Sequence, residues 1–237
     1  MEVSIVIPAK NEAENLPGLL QEIDTAMDKD SFDVWVIDDG STDNSWPLLT
    51  ALKTRYPWLH ALRLKQSCGQ STAVWLGARK AQGRFIATID GDGQNDPADI
   101  PLLLKSALEQ RGPVCICGIR TRRNDTWLKR VSSKVANGVR RRILADGVVD
   151  TGCGLKLISR DLFLTLPYFD HMHRFLPALC VRTGAAIKSL PVNHRARQAG
   201  VSKYGLHNRL WVGLVDMVGV RWLQRRAKQP LLSEELE

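Results

Sequence analysis

Much that would narrow the chemistry of this chain is missing from it. No GxGxxG follows the first β-branched run and no GxxxxGK[ST] occurs, so the dinucleotide-binding and P-loop fingerprints are absent. The five cysteines (Cys68, Cys115, Cys117, Cys153 and Cys180) are an odd number and include no CxxC pair. With no secretory signal at the N-terminus, they are expected to be buried small residues in a reducing compartment, neither a disulfide framework nor a metal site. His171, His173 and His194 have no carboxylate spaced for zinc and read as structural histidines. No internal repeat or low-complexity linker is visible. The apolar stretch Leu210 to Leu223 is interrupted by Asp216 and Arg221. As a helix it would span about 21 Å, less than the roughly 30 Å of a bilayer's hydrocarbon, which argues against a transmembrane helix.

What is present fits one α/β domain with a substantial core: 237 residues, 44% of them hydrophobic. The net charge of +8 points to an anionic partner. The excess is local: Arg120, Arg122, Arg123, Lys129, Arg130, Lys134, Arg140, Arg141 and Arg142 face only Asp125 in the same stretch, and Arg221, Arg225, Arg226 and Lys228 form a second cluster. On charge alone, nucleic acid, an anionic bilayer and a phosphorylated substrate all remain open.

Short β-branched runs alternate with helical stretches. Strands are expected over Val3–Ile7, Asp33–Ile37, His60–Leu64, Arg84–Ile89 and Pro113–Gly118. Helices are expected over Asn11–Met27, from an N-cap in Ser41-Thr42-Asp43 to about Tyr56, over Gln70–Ala81, and from Pro97 to about Glu109. This alternation calls for a mostly parallel, Rossmann-like sheet with right-handed crossovers and helices on both faces. Such sheets bind ligands beyond the carboxyl ends of their strands. Polar clusters fall at those ends: Pro8-Ala9-Lys10-Asn11-Glu12, Asp38-Asp39-Gly40-Ser41 and Asp90-Gly91-Asp92-Gly93-Gln94. In the last, two carboxylates one residue apart, with Gln94 beyond, offer oxygen donors to a hard divalent cation that could hold phosphate. The competing reading of that segment is an Asp/Gly-rich surface turn.

Taken together, these three motifs resemble the family 2 glycosyltransferases of GT-A fold, and among them the polyprenol-phosphate sugar transferases of the dolichol-phosphate mannosyltransferase type. Gly118-Ile119-Arg120, Arg130 to Asn137, Asp150-Thr151-Gly152-Cys153-Gly154 and Arg197 to Gly205 extend the likeness over residues 1–208, with 209–237 as a C-terminal amphipathic helix and tail. The resemblance implies a nucleotide pocket at Pro8, Ala9, Asn11, Glu12, Asp38, Asp39, Ser41, Asp90 and Gly91. It implies Mg²⁺ or Mn²⁺ held by Asp90, Asp92 and Gln94, and an acceptor phosphate received by Arg120, Arg130 and Ser133. Asp92, Arg197 and Lys203 would be the catalytic set, with Arg197 and Lys203 closing over the donor diphosphate. Asp150 to Gly154 would shape the sugar pocket, and the helix opened by His173-Arg174-Phe175-Leu176-Pro177 would pack near the acceptor.

The implied reaction is inverting transfer of a mannose- or glucose-type sugar from a GDP- or UDP-sugar to a polyprenyl (undecaprenyl or dolichyl) phosphate. A phosphate monoester is already anionic, its second pKa being about 6, so no general base is required. A hydroxyl on a lipid or glycan, the nearest alternative acceptor, would need one. A non-catalytic anionic-lipid or nucleic-acid binding module is the alternative outside enzymes; the retained carboxylates and Arg197 and Lys203 weigh against it, and no nucleic-acid partner is expected. Trp211, Leu214, Val215, Val218 and Trp222 recur at helical spacing beside Arg221, Arg225 and Arg226. That composition suits a helix lying in an anionic membrane interface, or one packed on the domain or on a membrane protein. The expected location is the cytoplasm, peripherally attached to the inner face of the membrane.

Overall fold

The structure, a computed structural model, describes residues 1–27, 31–121, 138, 140, 142–197 and 207–228, of which 207–211 as backbone only. Seven strands form one sheet: β1 Val3–Ala9, β2 Phe32–Asp38, β3 Leu59–Arg63, β4 Phe85–Thr88, β5 Val114–Arg120, β6 Lys156–Ser159 and β7 Ala186–Val192. Their order is β3-β2-β1-β4-β6-β5-β7. The pairings β1–β2, β2–β3, β1–β4 and β5–β7 are parallel, while β6 runs antiparallel to both β4 and β5. The expectation of a mostly parallel sheet therefore holds, with one reversed strand at its centre. That reversal matters, because it brings the start of β6, Lys156, to the edge where β4 ends.

The strands are near-continuous runs of buried Val, Ile and Ala, as a sheet covered on both faces requires. On one face lie helices α1 (Leu16–Ala26), α2 (Ser45–Arg55) and α4 (Ile100–Leu108), contributing Leu16, Leu20, Ile23, Leu49, Leu103 and Leu104 to one core. On the other lie α3 (Gln70–Lys80), α5 (Arg160–Thr165), α6 (Leu176–Arg182) and α7 (His207–Arg226), burying Val74, Phe163, Leu179 and Val220 among others. Gly77 lets α3 close on β1, since a Cβ there would stand 2.5 Å from Val6.

Three helix starts differ from the sequence reading, and the strand ends shift by one or two residues. Helix α1 begins at Leu16, not Asn11, because residues 11–15 form a turn in which Asn11 takes a left-handed φ of 51° and its side-chain oxygen accepts from the Thr42 N–H. Asn44, without a side-chain cap bond, precedes α2; Asp43 accepts from the N–H groups of Ala13 and Ser45. The helix after Pro97 starts as a 3₁₀ turn (Pro97–Asp99) capped by the Asp96 carboxylate. Cys115, Cys117, Cys153 and Cys180 are buried as expected, whereas Cys68 is exposed because it sits in the loop between β3 and α3.

Candidate functional site

Strand ends and one reversed strand start build a polar rim. At the end of β1, the Asn11 N–H donates to Ser41 Oγ (2.8 Å) and the Glu12 N–H to Ser45 Oγ (3.0 Å), fastening the first cluster to the second. Asp38 is buried: one oxygen accepts from the Ser41 N–H (2.9 Å) and the other lies 3.4 Å from Arg63. Asp39 accepts from Ser67 Oγ (2.7 Å) and from the N–H groups of Cys68 (2.6 Å) and Gly69 (3.0 Å). Asp38 and Asp39 thus shape the loops that frame a pocket. Between them and α3, Gly40 adopts a φ of +66°, and a Cβ there would stand 2.7 Å from the Ser67 nitrogen.

Asp90 follows β4 and faces inward. Gln70, in the first turn of α3, donates to its Oδ1 (2.8 Å). Burial pushes the Asp90 carboxyl up to about 6, and neighbouring Asp92 adds to the rise; Lys156, the Gln70 hydrogen bond and Arg120 oppose it. Lys156 is buried and donates to the Cys153 carbonyl. Gly154 leaves the space the carboxylate occupies, since a Cβ there would lie 2.2 Å from Asp90 Oδ2.

Asp92 follows two residues on, close enough to Asp90 for the two carboxylates to repel. Arg197, beyond the end of β7, stands 3.4 Å from Asp92 and 3.2 Å from Glu12, and so bridges two of the three clusters. Its loop is anchored by Arg195, which donates both terminal nitrogens to Glu22 (2.9 and 2.8 Å). Gln94 braces the same loop: its side-chain nitrogen reaches the Arg195 carbonyl (3.3 Å) and its N–H the Asp92 carboxylate (3.2 Å). Arg120, at the end of β5, makes a two-pronged ion pair with Asp150, both contacts 2.7 Å. That pair fixes the loop leading to Gly154.

Behind Asp90 opens a cavity of about 360 Å³. Pro8, Gln70, Thr88, the Thr151–Gly154 loop and Lys156 line it, together with Asp170, His171, His173 and Arg174. His173 Nδ1 is 2.7 Å from Ser71 Oγ, in keeping with a structural histidine. The chain therefore gathers Glu12, Asp90, Asp92 and Arg197 at one edge, over loops shaped by Asn11, Asp38, Asp39 and Ser41, with Arg120 held by Asp150 against Gly152. Arg130, Ser133 and Lys203 lie outside the described residues. Gln70 and Lys156 escaped the sequence reading as site residues, and Arg174 entered it only within the helix expected near the acceptor; the one available signal for Lys156 was an apolar strand opening on a lysine just after the Asp150–Gly154 cluster.

Among the described residues no three His, Cys, Asp or Glu side chains converge into a metal cage. A Mg²⁺-type ion shared with phosphates needs only one or two carboxylates and completes its octahedron with substrate oxygens and water. Asp90 and Asp92, both oxygen donors and mutually repelling, fit such an ion, and the missing Cβ at Gly154 makes room for the Asp90 carboxylate.

The chain matches a sequence profile described as glycosyl transferase family 2 over residues 4–166. It is 34% identical to the dodecaprenyl-phosphate galacturonate synthase of Rhizobium johnstonii, over 97% of this chain and 69% of that protein. In fold it is similar to glucosyl-3-phosphoglycerate synthase from Mycobacterium tuberculosis. The crystal structure of that enzyme with Mn²⁺, UDP and phosphoglyceric acid superposes with a TM-score of 0.72 at 18% identity, covering 96% of this chain and 80% of that one. A second, with Mg²⁺ and UDP, gives 0.70 at 19% identity, covering 92% and 79%.

Proposed function

The chain belongs to glycosyltransferase family 2, and from that premise we propose that it moves a sugar from a nucleoside-diphosphate donor to a polyprenyl phosphate at the cytoplasmic face of a membrane. The observation that carries this reading is Arg197 held between Glu12 and Asp92 beside Asp90: a cation and paired carboxylates gathered where a diphosphate would lie. The GT-A fold and the likeness to a polyprenyl-phosphate sugar transferase over nearly the whole chain support it. Enzyme chemistry sets aside the non-catalytic binding module.

Asn11, Ser41 and the loops tied by Asp38 and Asp39 would seat the nucleoside; Pro8, Ala9 and Gly91 would let the donor approach the backbone closely. Asp90 and Asp92 would hold Mg²⁺ or Mn²⁺, which when bound neutralises charge on the departing diphosphate. Arg197 would exchange its carboxylate partners for phosphate, adding charge-assisted hydrogen bonds that strengthen as the leaving group gains charge. Lys203 is assigned to the same task, Gln94 to supporting the metal side, and Arg120, Arg130 and Ser133 to the acceptor phosphate. The acceptor attacks as an anion from the face opposite the diphosphate, so the anomeric centre inverts.

Lys156 and Arg174 in the cavity wall favour a sugar that carries its own carboxylate, and the Rhizobium relative is named for galacturonate. We therefore place a hexuronate ahead of mannose or glucose, with UDP ahead of GDP because the similar solved structures hold UDP. A screen of UDP-galacturonate, UDP-glucuronate, UDP-glucose and GDP-mannose against undecaprenyl and dolichyl phosphate, with Mg²⁺ and Mn²⁺, tests the reading. Transfer to the phosphate lipids is expected, and Asp92→Ala should abolish it while leaving the circular dichroism spectrum unchanged. Full turnover in that variant would remove the metal assignment. Transfer confined to hydroxyl acceptors would overturn the acceptor class.

A further inference from the structure

Among the described residues, helix α7 is held to the domain by one face and exposes apolar side chains on the other. On the inner face Val220 is 1% exposed and Met217 and Leu223 pack on the second core. Gln224 donates to the carbonyls of Leu144 and Ala178, and Arg182 donates to the Leu223 carbonyl. Residues 214, 218 and 222 are spaced i, i+4, i+8 and so share a ridge, with 215 beside it. Here stand Leu214 (42% exposed), Val215 (70%), Val218 (70%) and Trp222 (58%). Arg221, Arg225 and Arg226 flank the same ridge, and the Arg226 guanidinium lies 6.0 Å from the Trp222 ring. No described helix is long and apolar enough to cross a membrane.

From this arrangement we propose that the outward ridge of α7 seats on an anionic bilayer surface, the apolar side chains entering the headgroup–acyl boundary and the arginines binding lipid phosphates. This deepens, and for its purpose rests on, the polyprenyl-phosphate reading above. Charge selects the partner. An apolar ridge alone would suit a second copy of this chain, but two like copies would set their arginines against each other, whereas acidic headgroups neutralise them. A tryptophan edged by arginines is a composition that sits well at a membrane interface. Helix α7 also lies beside the cavity, by its inner side. Asp216, on the inner side of α7, is 3.6 Å from His171 Nδ1, and His171 belongs to the cavity wall.

Sedimentation with vesicles of phosphatidylcholine alone, or with three parts in ten of phosphatidylglycerol, tests this with the 237-residue chain. We expect binding to the acidic vesicles that weakens with salt, and little binding to the neutral ones. Val215→Asp/Val218→Asp should lower acidic-vesicle partitioning by about tenfold or more, since two fully apolar contacts are replaced by charges of the lipid's own sign. Arg221→Gln/Arg225→Gln should reduce both binding and its salt dependence. Both variants alter exposed or half-exposed positions, and their melting temperatures should match the parent's. Unchanged vesicle binding in the aspartate variant overturns the proposal, as does a parent that binds no vesicle, or a dimer in sedimentation equilibrium that this variant dissociates. Transfer to a short, water-soluble prenyl phosphate in detergent separates the two readings. If the parent binds vesicles yet transfers to no prenyl phosphate, the function assigned above fails and the docking surface stands.

Discussion

At the end of β4, Asp90 sits where burial and a neighbouring carboxylate both oppose its ionisation, with Lys156 and Gln70 only partly offsetting them. The folded chain thus holds this proton up to about pH 6, while the unfolded chain releases it near 3.8. Between those values the folded state binds more protons than the unfolded one, so stability falls as pH rises through the window. The penalty is complete above it, at roughly 1–3 kcal/mol for a shift of this size. Asp90→Asn removes the charge, keeps the shape and retains an acceptor for Gln70. In metal-free protein this variant should melt higher than the parent at pH 7.5, with the difference vanishing toward pH 4. Adding Mn²⁺ with UDP should raise the parent's melting temperature and leave the variant's nearly unmoved. Equal melting at every pH would show that the carboxylate is not destabilised where it sits. A carboxylate that burial and a like-charged neighbour destabilise, and that a cation would relieve, is one a metal site would be expected to contain.

The loop after β7 holds Arg197 by means of its neighbour. Arg195 grips Glu22 on α1 with two hydrogen bonds and lies 3.4 Å from Asp96, so the loop is pinned on both sides. Arg195→Ala should lower stability by only about 1 kcal/mol, because the pair is partly solvated. Its effect on transfer should be larger, appearing as a several-fold rise in donor KM as Arg197 loses its fixed approach; an unchanged KM would mean the loop positions Arg197 without this anchor. Neither the anchor nor β7 itself can be read from the chain. The Ala186–Val192 stretch is exposed or half-exposed at all but its last residue and contains Pro191, which only an edge strand tolerates. By contrast β1, β2 and β4 announce themselves as apolar runs, and the polar clusters that follow them could be assigned to one rim before any coordinates. Lys156 and Gln70 reach Asp90 only because β6 reverses direction and α3 crosses behind it. Such contacts, bridging positions far apart in sequence, leave no local periodicity to find.

Across the whole molecule, the sheet order puts the ends of β1, β2, β4, β5 and β7 and the start of β6 at one edge, while two separate cores fix the helices on either face. Loops from both halves of the chain line that edge, tied across it by hydrogen bonds such as Gln94 with Arg195 and by charge pairs such as Arg197 with Glu12 and Asp92. A ligand whose phosphates and cation engage all of these loops at once would couple the halves, and coupling of this kind is visible as stability. Binding to the folded state alone adds RT ln(1 + [L]/Kd), about 2.7 kcal/mol at a hundredfold excess over Kd. For a domain of this size that corresponds to a rise in melting temperature of roughly 5–10 °C. UDP and Mn²⁺ together should approach that rise, whereas each alone should give well under half of it, because the carboxylates and the diphosphate repel one another until the cation lies between them. GDP with Mn²⁺ should give less than UDP. Asp92→Ala should lose the excess of the pair over the sum of its parts, leaving only the nucleoside's own contribution. If UDP alone reproduces the full rise and Mn²⁺ adds nothing, the paired aspartates do not share a cation with the donor, and the diphosphate must be held by the arginine and the loops without it.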